Sequence, residues 1–422
     1  MKMAKRLHII LPFALGYFLS YAFRVVNAVL APHLVAEIGL NATDLGLLTS
    51  VYFITFAAFQ LPLGLLLDRF GPRRVEGLLL LVAAGGAAIF ARADSLTGLV
   101  IGRALIGLGV SACLMAAFKA YVIWFPNQQL PMINGFQVAA GGLGALFATA
   151  PVQALLGLTN WRGVFAGLAG LTLLAAAVVF WMVPRDPVAR ERLRWSDQLR
   201  GLAAILVSLD FWRIAPWSTL NQASFLAIHG LWLGPYLRDR LGLNASAAAR
   251  MMLLTACGMV AGYIGLGILA EQLSRRGIAP MRVGGAGMTV YIGLLAWIVL
   301  QLPHGSPLFW VVFGFFGTSG ILTYAVLTQR FTAALAGRVN TALNLLVFVT
   351  AFAAQWGIGA VIDLWPPNAN GGYAAAGYRC AFGLLLVFQT AAAGWFWIAG
   401  HLRRRPKVWA RPRTHGKGLN RE

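Results

Sequence analysis

About twelve stretches of this chain each hold some 20 or more mostly apolar residues, the length needed to cross the hydrocarbon core of a bilayer as a helix. They run roughly over 8–34, 44–67, 75–91, 97–124, 131–157, 163–183, 211–237, 246–270, 279–302, 307–329, 338–364 and 377–400. With 59% hydrophobic and 11% charged residues and a mean hydropathy of +0.73, the composition excludes a water-soluble globular domain. In lipid a spanning segment must satisfy its own backbone hydrogen bonds, so the expected fold class is an all-α integral membrane protein with twelve transmembrane helices.

The sequence also repeats itself at one spacing. Pro32, Gly39-Leu40-Asn41-Ala42, Gly64 and Asp68 recur 203 positions later as Pro235, Gly242-Leu243-Asn244-Ala245, Gly267 and Glu271. A constant offset of about half the chain predicts two copies of one long unit, packed as two pseudo-symmetric six-helix bundles. Because six is even, the copies are expected to be parallel, related by an axis along the membrane normal. The expected divisions are 1–183 for the first bundle, 184–210 for a polar, Arg-rich linker, 211–400 for the second bundle and 401–422 for a basic tail.

The +21 net charge follows the loops. With both termini placed in the cytoplasm, 24 of the 34 Lys and Arg residues fall on that side, against six (Arg92, Arg162, Arg238, Arg240, Arg250 and Arg379) on the other. The positive-inside rule therefore favours a multi-pass protein of a bacterial-type inner membrane with both ends cytoplasmic. The tail from Arg403 to Arg421 reads as a segment facing anionic lipid. No aromatic-studded basic groove points to nucleic acid. The first apolar segment carries Arg24 and Asn27 and no small-residue cleavage site, so it reads as a retained helix. Cys113, Cys257 and Cys380 stand singly within spans, so neither disulfides nor a metal cluster is expected, and no cofactor motif is present.

The loop after the second span reads Gly64-Leu65-Leu66-Leu67-Asp68-Arg69-Phe70-Gly71-Pro72-Arg73-Arg74 and resembles the signature loop of the major facilitator superfamily. Its echo after the eighth span keeps Glu271, Arg275 and Arg276 with an altered glycine pattern. Arg103, Gly107 and Gly109 resemble the family's second motif, with Ile106 where Gln is common, and Trp161-Arg162 followed by Phe165 is typical of its fifth-to-sixth helix junction. The resemblance covers Leu7 to Gly400 and implies a transporter that works by alternating access. In it Gly64, Asp68, Arg69, Gly71, Arg73, Arg74, Glu271 and Arg275 are expected to gate the motion of the halves without touching substrate. The competing reading is that these cations only fix topology.

A charge inside a span costs about 2.5–3.5 kcal/mol on insertion scales, so each one asks for a reason. Tyr17, Tyr21 and Arg24 share one face of the first span near the midplane, and all three are candidate substrate contacts. Tyr21-Ala22-Phe23-Arg24 resembles the Tyr-x-Asp-Arg element of the anion:cation symporter branch, whose members carry organic acids; Phe23 stands where that element has the aspartate associated with proton coupling. Arg103 either bonds backbone carbonyls and holds helix packing or acts in coupling, and Lys119 either does the latter or snorkels to the interface beside Trp124. Asp44, Asp68, Glu76, Asp210, Asp239, Glu271 and Asp363 are all assigned to helix ends or loops, which leaves an electropositive cavity.

In the second half Gln222, Phe225, His229 and Trp232 fall on one face of the seventh span, and Asn340, Asn344 and Gln355 on one side of the eleventh. Gln222, His229, Asn344 and Gln355 are candidate substrate contacts. His229 can relay a proton or serve as a neutral hydrogen-bonding group. Gly141, Gly142 and Gly144 are expected to permit close helix contact. The resulting expectation is a secondary transporter, monomeric and not an enzyme, that moves a small organic anion of the carboxylate class, by uptake coupled to protons or sodium. The alternatives are a drug or metabolite exporter of the same superfamily and a polytopic membrane enzyme. The last lacks a catalytic pair at any membrane face, and no phosphate-binding Gly-x-x-x-x-Gly-Lys-Ser/Thr loop suggests ATP hydrolysis.

Overall fold

The computed structural model describes residues 3–125, 130–184, 195–331, 333–368 and 371–402, and every regular element among them is helical. The first bundle contains α1 (Met3–Val25) with α2 (Asn27–Ile38), α3 (Ala42–Phe70), α4 (Pro72–Arg92), α5 (Leu96–Gly109) with α6 (Cys113–Trp124), α7 (Leu130–Phe147) with α8 (Ala150–Leu155), and α9 (Trp161–Met182). After α10 (Trp195–Leu206) the second bundle repeats the plan. Its elements are α11 (Leu209–Ala227) with α12 (Leu233–Leu241), α13 (Ala245–Arg275), α14 (Pro280–Val299), α15 (Pro307–Gly317) with α16 (Leu322–Thr328), α17 (Ala333–Ile362) and α18 (Ala375–Leu402). These make the twelve expected crossings.

Eleven helical stretches among the described residues are long and apolar enough to span a membrane. The seventh crossing falls short because Asp210, Arg213, Asn221, Gln222 and His229 dilute it and a π-helical turn, Ile228–Trp232, divides α11 from α12. Helix α10 lies within the stretch expected as linker, where Gly201 packs against the Arg338 side chain on α17. Residues 185–194 of that linker and 403–422 of the basic tail lie outside the described residues.

The repeated Gly-Leu-Asn-Ala run has a local cause. Gly39 (φ 74°) and Gly242 (φ 65°) end α2 and α12 in the left-handed conformation that glycine adopts without strain. Two residues on, the side chains of Asn41 and Asn244 accept the backbone N–H of Asp44 and Ala247, which caps α3 and α13. The same tight helix-to-helix corner is thus built twice, at the end of the molecule remote from the chain termini, called distal below.

Small residues let the crossings approach, as lipid-exposed bundles require. Gly107 faces the Tyr52 carbonyl of α3 and Gly314 faces the Thr255 carbonyl of α13, and Tyr52 and Thr255 are again 203 residues apart. A Cβ on Gly144 would lie 2.0 Å from the Phe18 carbonyl oxygen, whereas Gly167 has nothing within 4 Å. Gly144→Ala is therefore expected to lower the thermal unfolding temperature in detergent, at a cost of about 3 kcal/mol. Gly167→Ala should leave it within a degree or two, and equal unfolding temperatures would remove the close α1–α7 contact as a determinant of the fold.

The two bundles meet along α3 and α17. A Cβ on Gly46 would touch the Gln355 carbonyl, one on Gly359 would touch the Ala42 carbonyl, and deeper in the bundle Phe53 and Phe56 pack on Phe348. At the distal end Asp363 of α17 accepts hydrogen bonds from the backbone N–H of Ala42 (3.0 Å) and Thr43 (2.7 Å) and from the Thr43 hydroxyl (2.5 Å). A carboxylate from one half thus caps a helix of the other. Also at this end, Arg162 pairs with Glu37 and Asp94, and the Trp161 indole donates to Glu37 at 2.5 Å. This network gives the Trp-Arg pair its local role.

Glu76, assigned from the sequence to a helix end or loop, lies in the second turn of α4 and is 0% exposed, because α1 and α6 close over that turn.

Candidate functional site

The first crossing breaks at Val26, two residues after Arg24, and its counterpart breaks at the π-helical turn Ile228–Trp232. Adding the 203-residue offset to Val26 gives position 229, inside that turn. The two irregular segments also meet, since a Cβ on Gly230 would lie 3.5 Å from the Arg24 carbonyl and 3.5 Å from the Gln355 amide nitrogen. Interrupted spanning helices meeting between two repeats are where transporters of this general plan form their central sites.

Arg24 is 5% exposed, and rings surround its guanidinium. Its Cζ lies 4.4 Å from the Tyr21 ring centroid, 5.2 Å from Phe348, 5.5 Å from Phe56 and 5.8 Å from Tyr52. The Tyr17 ring packs edge-on against Tyr21 at 5.1 Å, and Tyr263 and Tyr324 lie close enough to feel the Arg24 charge. Five of the chain's ten tyrosines therefore gather round one cation, drawn from α1, α3, α13 and α16, so that both bundles contribute. Asn344 joins through its side-chain oxygen, which accepts from the Tyr324 hydroxyl at 3.1 Å.

A second cation lies behind the first. Arg103 is fully buried, donates from Nη1 to the Phe23 carbonyl at 2.7 Å and sits 5.2 Å from the Tyr52 centroid. That bond anchors the backbone unit that carries Arg24. Among the described residues neither arginine has a carboxylate partner, and Arg24 Nε, Arg103 Nε and Arg103 Nη2 are without hydrogen-bond partners. The site combines permanent positive charge, ring faces, phenol hydroxyls and amides, the groups that recognise a compact anion. Among the described residues no His, Cys, Asp and Glu side chains cluster as a metal site would need.

The other candidates separate into those that join this cluster and those that do not. Tyr17, Tyr21, Arg24 and Asn344 join it; Gln355 lies beside Gly230, which also neighbours the Arg24 carbonyl, with both amide atoms unpaired. Gln222 turns to Ser218 on its own helix, bonding its hydroxyl at 3.1 Å. His229 is buried and stacks on Phe225 at 5.3 Å, with Phe225 in turn packed on Tyr291 and Phe313. Phe23 points away from the cation, against Phe165. Tyr52, Phe56, Tyr263, Tyr324 and Phe348 were not singled out from the sequence; the available sign was a tyrosine in an otherwise apolar span.

Of the gating candidates, Gly71 takes φ 77° at the junction of α3 and α4, a value that favours glycine. Arg73 donates to the Phe180 carbonyl at 2.5 and 3.1 Å, tying α4 to the end of α9. The Arg69 guanidinium lies over Phe70, Arg74 is exposed and Gly64 lies within α3. Glu271 and Arg275 pair with each other on the α13 surface at 2.7 Å, and Lys119 is half-buried on α6. The Asp68 side chain lies outside the described residues.

Comparison with known proteins completes the picture. A probable sulfoacetate transporter of Cupriavidus necator is 25% identical over 314 residues, 68% of this chain and 70% of that protein. A probable L-galactonate transporter of Escherichia coli is 25% identical over 354 residues, 78% and 76% of the two chains. In fold, the chain superposes on a bacterial homologue of the lysosomal transporter Spinster in an inward-facing conformation with a TM-score of 0.75 at 17% identity, covering 95% of this chain and 98% of that one. The sequence profile of the Major Facilitator Superfamily matches residues 13–355, so the chain belongs to that family and is a multi-pass membrane transporter.

Proposed function

We propose that the protein carries a small organic anion, of carboxylate or sulfonate type, across the inner membrane by alternating access, in ion-coupled uptake with both termini cytoplasmic. The observation that carries this reading is the buried Arg24 guanidinium, set against the rings of Tyr21, Tyr52, Phe56 and Phe348 and facing no carboxylate among the described residues. A cation held away from water and left without a fixed counter-ion selects for a ligand that brings the negative charge with it. Lipophilic cations are disfavoured by the same charge. The named specificities of the two relatives, sulfoacetate and L-galactonate, are small anions of this kind. The placement of Lys and Arg in the loops supports the orientation, which makes the distal end the outer face.

The test is a thermal-shift panel on purified protein, with short carboxylates, sugar acids and sulfonates set against lipophilic cations. A concentration-dependent stabilisation by at least one anion class and none by the cations is expected, since a ligand at 100 times its Kd stabilises by about 2.7 kcal/mol. Stabilisation by the cations alone would overturn the assignment.

A further inference from the structure

The side chain that this reading leaves unused is Glu76. Among the described residues it is the one carboxyl in the buried set, at 0% exposure, and neither of its oxygens has a hydrogen-bond partner. Helix α1 covers it through Gly16, where a Cβ would fall 2.3 Å from Glu76 Oε1. Helix α6 brings the Cys113 thiol, whose Sγ lies 3.6 Å from that Cβ position on Gly16. The remaining polar groups of this layer are committed elsewhere. The Tyr121 hydroxyl bonds Gln137 Oε1 at 2.7 Å, and Gln137 Nε2 holds the Phe13 and Cys113 carbonyls at 3.0 and 3.3 Å. Arg73, one turn earlier, is bound to Phe180, and Arg103 on α5 follows Gly102, which packs on Gly86 and Phe90, more than two turns further along α4.

An ionised carboxylate cannot be kept in such a place, since it would have neither water, nor a cation, nor a donor beyond one thiol. A metal cation would need several further oxygen ligands to neutralise it, and among the described residues no other carboxyl is buried there. A proton needs none. We propose that Glu76 is the proton-carrying residue of this transporter and loads one proton for each univalent anion taken up at Arg24.

The link between the two sites is α1 itself. Gly16 sits on Glu76, and the next residue, Tyr17, begins the face that continues through Tyr21 to Arg24. Breaking the Glu76 O–H bond passes the proton to water and leaves a charge that α1 cannot remain packed on. Release therefore requires this contact to open, which moves the wall of the anion site. Charge balance then fixes the pairing. With both ligands bound, Arg24 faces the anion and Glu76 holds its proton; with both gone, the cation and the carboxylate are bare. Taking up or releasing the two together therefore leaves the charge of the interior, Arg103 included, unchanged, while either ligand alone changes it by one. Phe23, where the related element has aspartate, faces Phe165, so the carboxyl of this chain sits on a different helix.

The proposal rests on the anion reading, and its test separates the two. Infrared spectra of purified protein at neutral pH are expected to show a protonated carboxyl band that disappears in Glu76→Gln, a substitution isosteric with the protonated acid; this arm uses no substrate. In proteoliposomes, with the anion giving the largest thermal shift, Glu76→Gln should keep counterflow within about twofold of wild type, while accumulation driven by an imposed pH gradient falls to the equilibrium ratio. Absence of the band in wild type overturns the proposal, and this arm decides even if the variant cannot be purified. Retention of pH-driven accumulation by the variant overturns it too. A wild-type protein that shows the band but responds to no anion sinks the anion reading, and the coupling with it.

Discussion

Arg24→Ala is expected to abolish saturable binding of the stabilising anion while leaving the protein about as heat-stable as wild type. The two effects have separate origins. A guanidinium donates a fork of charge-assisted hydrogen bonds to a carboxylate or sulfonate, and each such bond contributes about 1.5–3 kcal/mol. Losing the pair lowers affinity by at least about 100-fold, at about 1.4 kcal/mol per factor of ten. Stability is expected to move little, because the contacts with the Tyr21, Tyr52, Phe56 and Phe348 rings that are lost are offset by removal of a charge with no carboxylate partner among the described residues. Such a charge costs about 2.5–3.5 kcal/mol to hold in the membrane. Arg24→Lys, with the charge but not the planar fork, should fall between the two. Isothermal titration and a melting curve on the same preparations check both halves; unchanged affinity removes Arg24 from the site, and a collapse in stability makes its role architectural.

Asp363→Ala is expected to loosen the distal gate. Its carboxylate terminates α3 from the other half, taking the N–H groups of Ala42 and Thr43, which have no partner within their own helix. A lost cap costs about 0.5–2 kcal/mol. Asp363 is exposed, so the upper end applies only because the Thr43 hydroxyl adds a third bond. A change of that size moves a two-state population up to about thirtyfold. Spin labels at the exposed Leu158 and Leu364, one in each half, should report a new longer-distance population in the variant, with Cys257 and Cys380 replaced beforehand. An unchanged distance distribution would show that the packing of Gly46 and Gly359 holds this end closed without the cap.

Most of the scaffold was legible because lipid enforces one solution. Each apolar run had to be a helix, the seventh included, although polar residues and a π-helical turn interrupt it. The α10 helix was missed because its polar, Arg-flanked composition reads as linker and its partner, Arg338, is more than a hundred residues away. Arg24 was legible as the one cation at mid-depth beside two tyrosines. Its other neighbours were not, since Tyr52, Tyr263 and Tyr324 come from three further helices and nothing in their own spans marks which face turns inward.

His229 and Glu76 show the same limit from opposite sides. His229 looked central by depth, yet its ring follows Phe225 into the second bundle. Glu76 looked peripheral by position, four residues past Pro72, yet α1 and α6 bury it completely.

The sequence by itself determined the solvent, the number of crossings, the duplication and the sign of the interior charge, because bilayer thickness, backbone hydrogen bonding and the cost of a buried cation act on each segment alone. Only the tertiary structure decided which side chains surround Arg24 and that a lone carboxyl is sealed behind it. Those outcomes depend on how helices from distant parts of the chain turn against one another, and that rotation is set by packing between surfaces no single span contains.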